Sequence, residues 1–198
     1  MPYFCIELDG MTMNEDIQKA LDVLYKGGLI LYPTDTIWGI GCDATNEAAV
    51  KRVYELKRRQ DSKALLVLVD SVSKLDYYVT EVPEIAWDLI EVTDKPLTII
   101  YTGARNLAPS LLAEDGTVGI RVTDELFSKT LCQRFRKAIV STSANVSGQP
   151  SPTCFADVSR EIIDGVDYVV NYRQDEQAKA TPSSIIKLGL GGQIQVIR

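Results

Sequence analysis

The chain has 198 residues, with 21 basic side chains, 27 acidic ones and no histidine, for a formal net charge of −6. Without imidazole there can be no Ser–His–Asp triad, Cys–His dyad or His-ligated zinc site, so proton transfer near pH 7 falls to carboxylates, lysines, cysteines, tyrosines or the substrate. The acidic balance argues against a dedicated duplex-DNA binder.

A 45% hydrophobic and 24% charged composition over this length fits one soluble globular domain, expected over 1–198 with its core in about 14–198. Cys5, Cys42, Cys132 and Cys154 are scattered with no CxxC pair, which reads as free thiols in a reducing compartment. The N-terminus lacks the pattern of a secretory signal, and no apolar run approaches the ~20 residues needed to span a bilayer. A cytoplasmic address and no membrane partner are expected.

Two hydrophobic periods alternate along the chain. Asn14 reads as the cap of a helix with Ile17, Ala20, Leu21, Leu24 and Tyr25 on one face, stopped by Gly27 and Gly28. Leu29–Tyr32 reads as a short buried strand ending at Pro33, and 47–58 as a helix with Val50, Val53 and Tyr54 inward. The continuous apolar run 64–69 is expected to be a strand covered on both faces. Helices follow near 74–78 and 83–92, strands at 96–101 and 117–122, a helix at 126–136, a strand at 138–140 and a helix at 155–163. Strands at 167–172, 184–188 and 193–197 close the chain. Alternating strands and helices indicate an α/β fold. Its last strands follow one another without helices, so a mixed sheet is expected.

Polar residues gather where the apolar strands end, and ligands of open α/β sheets collect beyond strand ends. In Pro33–Gly41 two threonines flank an aspartate ahead of glycines, which suits either a Ser/Thr turn or a donor set for a small polar ligand. Segment 51–63 holds six basic side chains against two acidic ones. It therefore carries +4 while the rest carries −10. It reads either as a solvated helix end that complements the helix dipole or as an anion site of the kind a triphosphate needs. Arg121 sits inside an apolar strand and so requires an anion, from a structural carboxylate or from a substrate. Ser141–Pro150 packs four hydroxyls and two amides directly behind a strand, either as a connector or as a loop that wraps phosphates. Neither GxxxxGK[ST] nor GxGxxG occurs.

In this order the segments resemble the YrdC family of threonylcarbamoyl-AMP synthases. PTDTIWG (33–39) is similar to its PT-[DE]-T-x-[YFW]-G motif, and Lys57, Arg58, Arg59 and Lys63 to its basic K-x-R-P-x-x-K-P-L motif. GIRV (119–122) is similar to its arginine strand, STSANVSGQP (141–150) to its S-[TA]-S-A-N-x-S-G-x-P, and PSSII (182–186) to its P-S-T-[IV]-[IV], with Arg198 after the last strand. Gln60 and Ala64 replace two prolines of the basic motif, Thr93–Thr98 departs from P-G-P-[LVM]-T, Ser184 replaces a threonine, and Thr123 stands where a proline is usual. The resemblance covers about 14–198 and is to the short, single-domain type.

It implies a YrdC-like single domain, a twisted mixed β-sheet with flanking helices around a basic cavity. It implies condensation of L-threonine, bicarbonate or CO₂, and ATP to threonylcarbamoyl-AMP plus pyrophosphate, for the N6-threonylcarbamoyladenosine modification of tRNA. ATP is then a substrate, Mg²⁺ is carried by its phosphates, and no protein metal site is expected. Thr34, Arg121, Ser141 and Ser183 or Ser184 are assigned to threonine, with Arg121 on its carboxylate. Lys57, Arg59, Thr117, Ser143, Asn145, Ser151 and Arg198 are assigned to the nucleotide. Lys57, Arg59 and Lys63 are assigned to catalysis, Lys63 near the reacting carbamate. A tRNA threonylcarbamoyl transferase complex is the expected partner. A nucleotide- or RNA-binding module without synthase activity, with weak tRNA or double-stranded RNA binding, is the alternative.

Overall fold

The computed structural model describes residues 3–59, 65–177 and 181–198, and of residues 3–12 the backbone alone. In chain order the elements are α1 (Tyr3–Tyr25), β1 (Ile30–Tyr32), β2 (Gly39–Gly41), α2 (Glu47–Leu56), β3 (Leu66–Val69), α3 (Leu75–Tyr78) and α4 (Glu84–Val92). There follow β4 (Leu97–Tyr101), β5 (Val118–Val122), α5 (Leu126–Phe135), β6 (Ile139–Ser143), α6 (Arg160–Gly165), β7 (Tyr168–Val169), β8 (Ser184–Leu188) and β9 (Ile194–Val196).

The described strands form one mixed sheet in the order β7-β1-β2-β6-β3-β5-β4-β8-β9. The β1–β7, β3–β5 and β4–β8 pairs are parallel and the others antiparallel. Strand alternation sends successive side chains to opposite faces. Register then aligns Val140, Val67, Ile120, Ile99 and Ile186 in one row across five strands. This row belongs to the larger core, which Val50 and Val53 of α2, Leu75 of α3, Ala86 of α4 and Ile162 of α6 complete. On the other face, Ile30, Tyr32, Leu68 and Ile139 pack under Ile17, Leu21 and Leu24 of α1 and Phe127, Leu131 and Phe135 of α5. The apolar run ahead of Asp70 is thus buried from both sides: Val67 and Val69 feed one core and Leu68 the other.

Three local expectations change. Asn14 lies inside α1, not at its start, and its side chain accepts from Arg134 Nη2 at 2.9 Å instead of capping a helix amide. The segment 155–163 breaks in two, a 3-10 turn over Phe155–Asp157 and then α6. Val158 and Ser159 adopt extended backbone between them, which buries Val158 in the larger core. The polar motif after Pro33 contains a strand, β2, hidden in the sequence because two of its three residues are glycines. The end of α1 follows expectation: Gly28 N donates to Val23 O at 2.9 Å and Gly27 N to Leu24 O at 3.0 Å, with Gly27 at φ +75°. That is a Schellman close, whose left-handed residue favours glycine.

Cys42, Cys132 and Cys154 are free thiols, the first two buried. Cys5 lies among the residues whose side chains are not described.

Candidate active site

A cavity of about 320 Å³ occupies the part of the second sheet face that α1 and α5 leave uncovered. Its floor follows the register. Ser141, Leu66, Gly119 and Ile100 form one row across four strands, and all four line it. In the neighbouring row Ile139 and Leu68 lie in the apolar core, whereas Arg121, paired with Leu68, reaches the cavity. Arg121, Ser141, Thr98 and Ser183 are buried, while Ser151, Pro182 and Arg198 form an exposed rim. The cavity therefore has a deep end and a solvent-facing end.

Its charges are all of one sign. Arg59, Arg121 and Arg198 line it, and no carboxylate does so among the described residues. Hydroxyls supply most of the remaining polarity, among them Thr36, Thr117, Ser141, Ser143 and Ser183.

Arg121 is buried, and its Nη2 lies 3.0 Å from Asp35 Oδ1. The two form an ion pair without the alignment of a hydrogen bond, and Arg121 Nε has no hydrogen-bond partner. Burial lowers the affinity of the Arg121 guanidinium for its proton, opposed by Asp35. The Asp35 carboxyl is pushed up by burial, opposed by Arg121. Of the two anions open to Arg121, the structure supplies the structural carboxylate, Asp35, and leaves Arg121 Nε buried without a hydrogen-bond partner.

The end of α2 explains how Arg59 arrives there. Lys57 caps the helix, Arg58 takes left-handed backbone at φ +49°, and Arg59 N donates to Tyr54 O at 2.9 Å. This close turns the chain so that Arg59 lines the cavity while Arg58 points outward to Glu161 at 2.5 Å. At the rim, Arg198 Nε donates to Ser183 O at 3.0 Å, and the Ser183 hydroxyl shares a 2.9 Å hydrogen bond with Thr98.

Arg59, Thr117, Arg121, Ser141, Ser143, Ser151, Ser183 and Arg198 therefore meet in one cavity, and the four other assigned residues that are described do not line it. Ser184 is exposed and alternates to the opposite face from Ser183. Thr34 is buried, and its hydroxyl donates to Ile37 O at 2.8 Å and accepts from Thr36 N at 3.0 Å. It closes a turn, and Thr36, two residues on in the same motif, lines the cavity, its hydroxyl 2.9 Å from that of Thr34. Asn145 Nδ2 donates to Gln149 O at 2.7 Å, which folds the loop on itself, while its Oδ1 is buried without a partner. Lys57 is enclosed behind the wall: Nζ donates to Ser143 O and, at 2.6 Å, to Asn145 O. Lys63, with Gln60 and Ala64, lies outside the described residues.

The model of one protein family, Sua5/YciO/YrdC, described as "Telomere recombination", matches residues 22–198. The chain belongs to the Sua5/YciO/YrdC family. Among its relatives, threonylcarbamoyl-AMP synthase of Pseudoalteromonas translucida is 32% identical over 187 residues, covering 93% of this chain and 98% of the relative. The putative threonylcarbamoyl-AMP synthase of Methanocaldococcus jannaschii is 35% identical over 180 residues, covering 88% and 83%. P. abyssi Sua5, solved in complex with L-threonine, superposes with a TM-score of 0.78 at 27% identity over 87% of this chain. The chain spans half the length of that Sua5. E. coli YciO, with a TM-score of 0.78 at 23% identity, shares the same Sua5/YciO/YrdC fold.

Proposed function

We infer that the chain is a threonylcarbamoyl-AMP synthase, which joins L-threonine, bicarbonate and ATP into threonylcarbamoyl-AMP with release of pyrophosphate. The observation that carries this reading is a cavity charged by three arginines and no carboxylate among the described residues. Both the carboxylate of an amino acid and the phosphates of a nucleotide require such a lining. Its volume is at the lower end of small-ligand sites, and the exposed rim leaves room for a longer ligand to extend outward.

In this reading threonine lies at the deep end. Its carboxylate pairs with the guanidinium of Arg121, which lines the cavity and which Asp35 orients. Ser141 and the Ser183–Thr98 hydroxyl pair accept and donate around it. The amine attacks CO₂ with loss of a proton, or bicarbonate with loss of water, to give a carbamate, and a carbamate oxygen attacks the α-phosphate as pyrophosphate leaves. Arg59, Thr117, Ser143, Ser151 and Arg198 hold the triphosphate and offset its charge as it redistributes. Such a transfer depends on positioning and on preorganised cations, which is why it can dispense with histidine. Lys63 is assigned to the neighbourhood of the carbamate. In this reading Mg²⁺ would arrive on the phosphates, since the polar side chains of the lining are hydroxyls and guanidiniums and would leave the metal to the nucleotide.

The product is a mixed anhydride that hydrolyses readily, so it is passed to a tRNA-modifying threonylcarbamoyl transferase in the cytoplasm. The test is pyrophosphate release from ATP and bicarbonate with each amino acid in turn. Release with threonine is expected. Binding of ATP with no release for any amino acid would replace the synthase reading with that of a nucleotide-binding module.

A further inference from the structure

Strands β1, β2 and β6 meet beside Ser141, and the side chain that joins them is one the reaction leaves without a task. Tyr32 is the last residue of β1 and is fully buried, in the smaller core that also holds Ile139 and Phe127. Its ring does not stay above its own strand. The Tyr32 hydroxyl donates to Val140 O of β6 at 3.3 Å, although β2 lies between β1 and β6 in the sheet.

The glycines of β2 make this crossing possible. Register pairs Tyr32 with Gly39 and Ile30 with Gly41, and on the other side it pairs Gly39 with Ser143 and Ile40 with Thr142. Continued by one residue, it sets Gly41 opposite Ser141. Strand alternation turns both glycines and Ser141 to the face that carries Tyr32. A Cβ on Gly41 would lie 2.7 Å from Tyr32 Cε1 and 3.0 Å from Val140 O, and one on Gly39 would lie 3.4 Å from Ser141 Oγ. A side chain at 41 would therefore displace the ring or the backbone of β6. Glycine weakens a strand and marks a close approach. Here the hollow above two glycines is taken by the tyrosine ring and, beside it, the Ser141 hydroxyl.

Ser141 and Gly39 line the cavity and Tyr32 does not, so the phenol reaches the Val140–Ser141 peptide from behind the wall. Burial holds the Tyr32 hydroxyl well above the usual tyrosine range, with the Ser141 side chain the first group to oppose it. The phenol is thus a permanent donor.

We propose that Tyr32 is a positioning residue for threonine: its hydroxyl fixes the Val140–Ser141 peptide, and with it the Ser141 hydroxyl, across a gap that Gly39 and Gly41 keep open. This rests on the reading that the deep end takes threonine. Of the groups assigned to the triphosphate, Arg59, Thr117, Ser151 and Arg198 come from segments outside these three strands, so the effect divides between the two ligands.

Tyr32→Phe keeps the ring and removes the hydroxyl. Calorimetry should show threonine binding weakened about three- to tenfold, the worth of one hydrogen bond, with ATP binding changed by less than about twofold. In a Ser141→Ala background the same substitution should weaken threonine by less than about twofold, because the group that it positions is gone. A purely structural role would lower the denaturation midpoint and leave this coupling at zero. Unchanged threonine affinity in Tyr32→Phe, an equal loss with and without Ser141, or equal losses for threonine and ATP overturns the proposal and leaves the threonine reading intact. Should the variant fail to fold, the wild type labelled with ¹³Cζ tyrosine carries the test. No tyrosine lines the cavity among the described residues, yet one Cζ resonance should shift on saturation with threonine and stay in place with ATP. Any other pattern with threonine bound overturns the proposal. Absence of threonine binding by the wild type overturns both.

Discussion

One face of the sheet is divided between two fates, and β6 crosses the division. Its first residue, Ile139, lies in the apolar core under α1 and α5, and Ser141 and Ser143, two and four residues on, line the cavity from the same side. β3 does the same in reverse, with Leu68 in the core and Leu66 in the cavity wall. Strand geometry is identical in the two halves. What differs is whether a helix sits above. The covered half contributes stability by removing apolar area from water, about 1.5–3 kcal/mol for each large side chain. The open half holds instead a buried guanidinium whose Nε has no hydrogen-bond partner, which costs stability.

The sharpest way to break this division is at its boundary. Arg121→Ala leaves Asp35 enclosed without its partner, which should cost about 3–5 kcal/mol of stability, read by chemical denaturation, and should abolish measurable threonine binding. The double variant Arg121→Met, Asp35→Leu should recover most of that stability and none of the binding. Stability lost together with retained threonine affinity would move the carboxylate elsewhere. In the covered half, Leu24→Ala should cost about 2–5 kcal/mol yet leave threonine and ATP affinities within about twofold wherever the protein is folded. A larger shift in affinity would show that the two halves are coupled.

Within the open half, Arg59→Ala should weaken ATP about 10- to 100-fold, the worth of a charged hydrogen bond, and threonine far less. Equal losses for both ligands in calorimetry would collapse the distinction between the rim and the deep end. The smallest effect is on pH. The Lys57 ammonium is pushed down to about 7 in the folded protein, against about 10.4 in an unfolded chain. Between these values the unfolded state binds more protons, so stability rises with pH, by about 1 kcal/mol from pH 7 to pH 8. Below about 7 both states are protonated and this contribution is flat. Lys57→Met should remove the slope, as read from denaturation midpoints at pH 7 and pH 8.

Sequence alone determined a good deal of this protein. The alternating periods specified an α/β mixed sheet, and α1, α2 and α5 form near the segments whose apolar residues recur at helical spacing. The need of Arg121 for an anion followed from its place in an apolar strand. The concentration of positive charge between 51 and 63 stood out against an acidic average. These properties are local or compositional, so spacing carries them.

Tertiary structure decided which way each polar group faces. Ser183 and Ser184 are neighbours of the same chemistry, and only the register of β8 against β4 sends the first into the cavity. Thr34, expected in the site, does not line the cavity, because a turn consumes its hydroxyl. Lys57 and Arg59 share one basic cluster, yet the left-handed close at Arg58 brings Arg59 to the cavity while Lys57 is spent on two loop carbonyls. A hydroxyl or ammonium is equally content with a backbone acceptor, water or a ligand, so its partner is chosen by whatever chain lies within 3 Å, and that neighbour is remote in sequence.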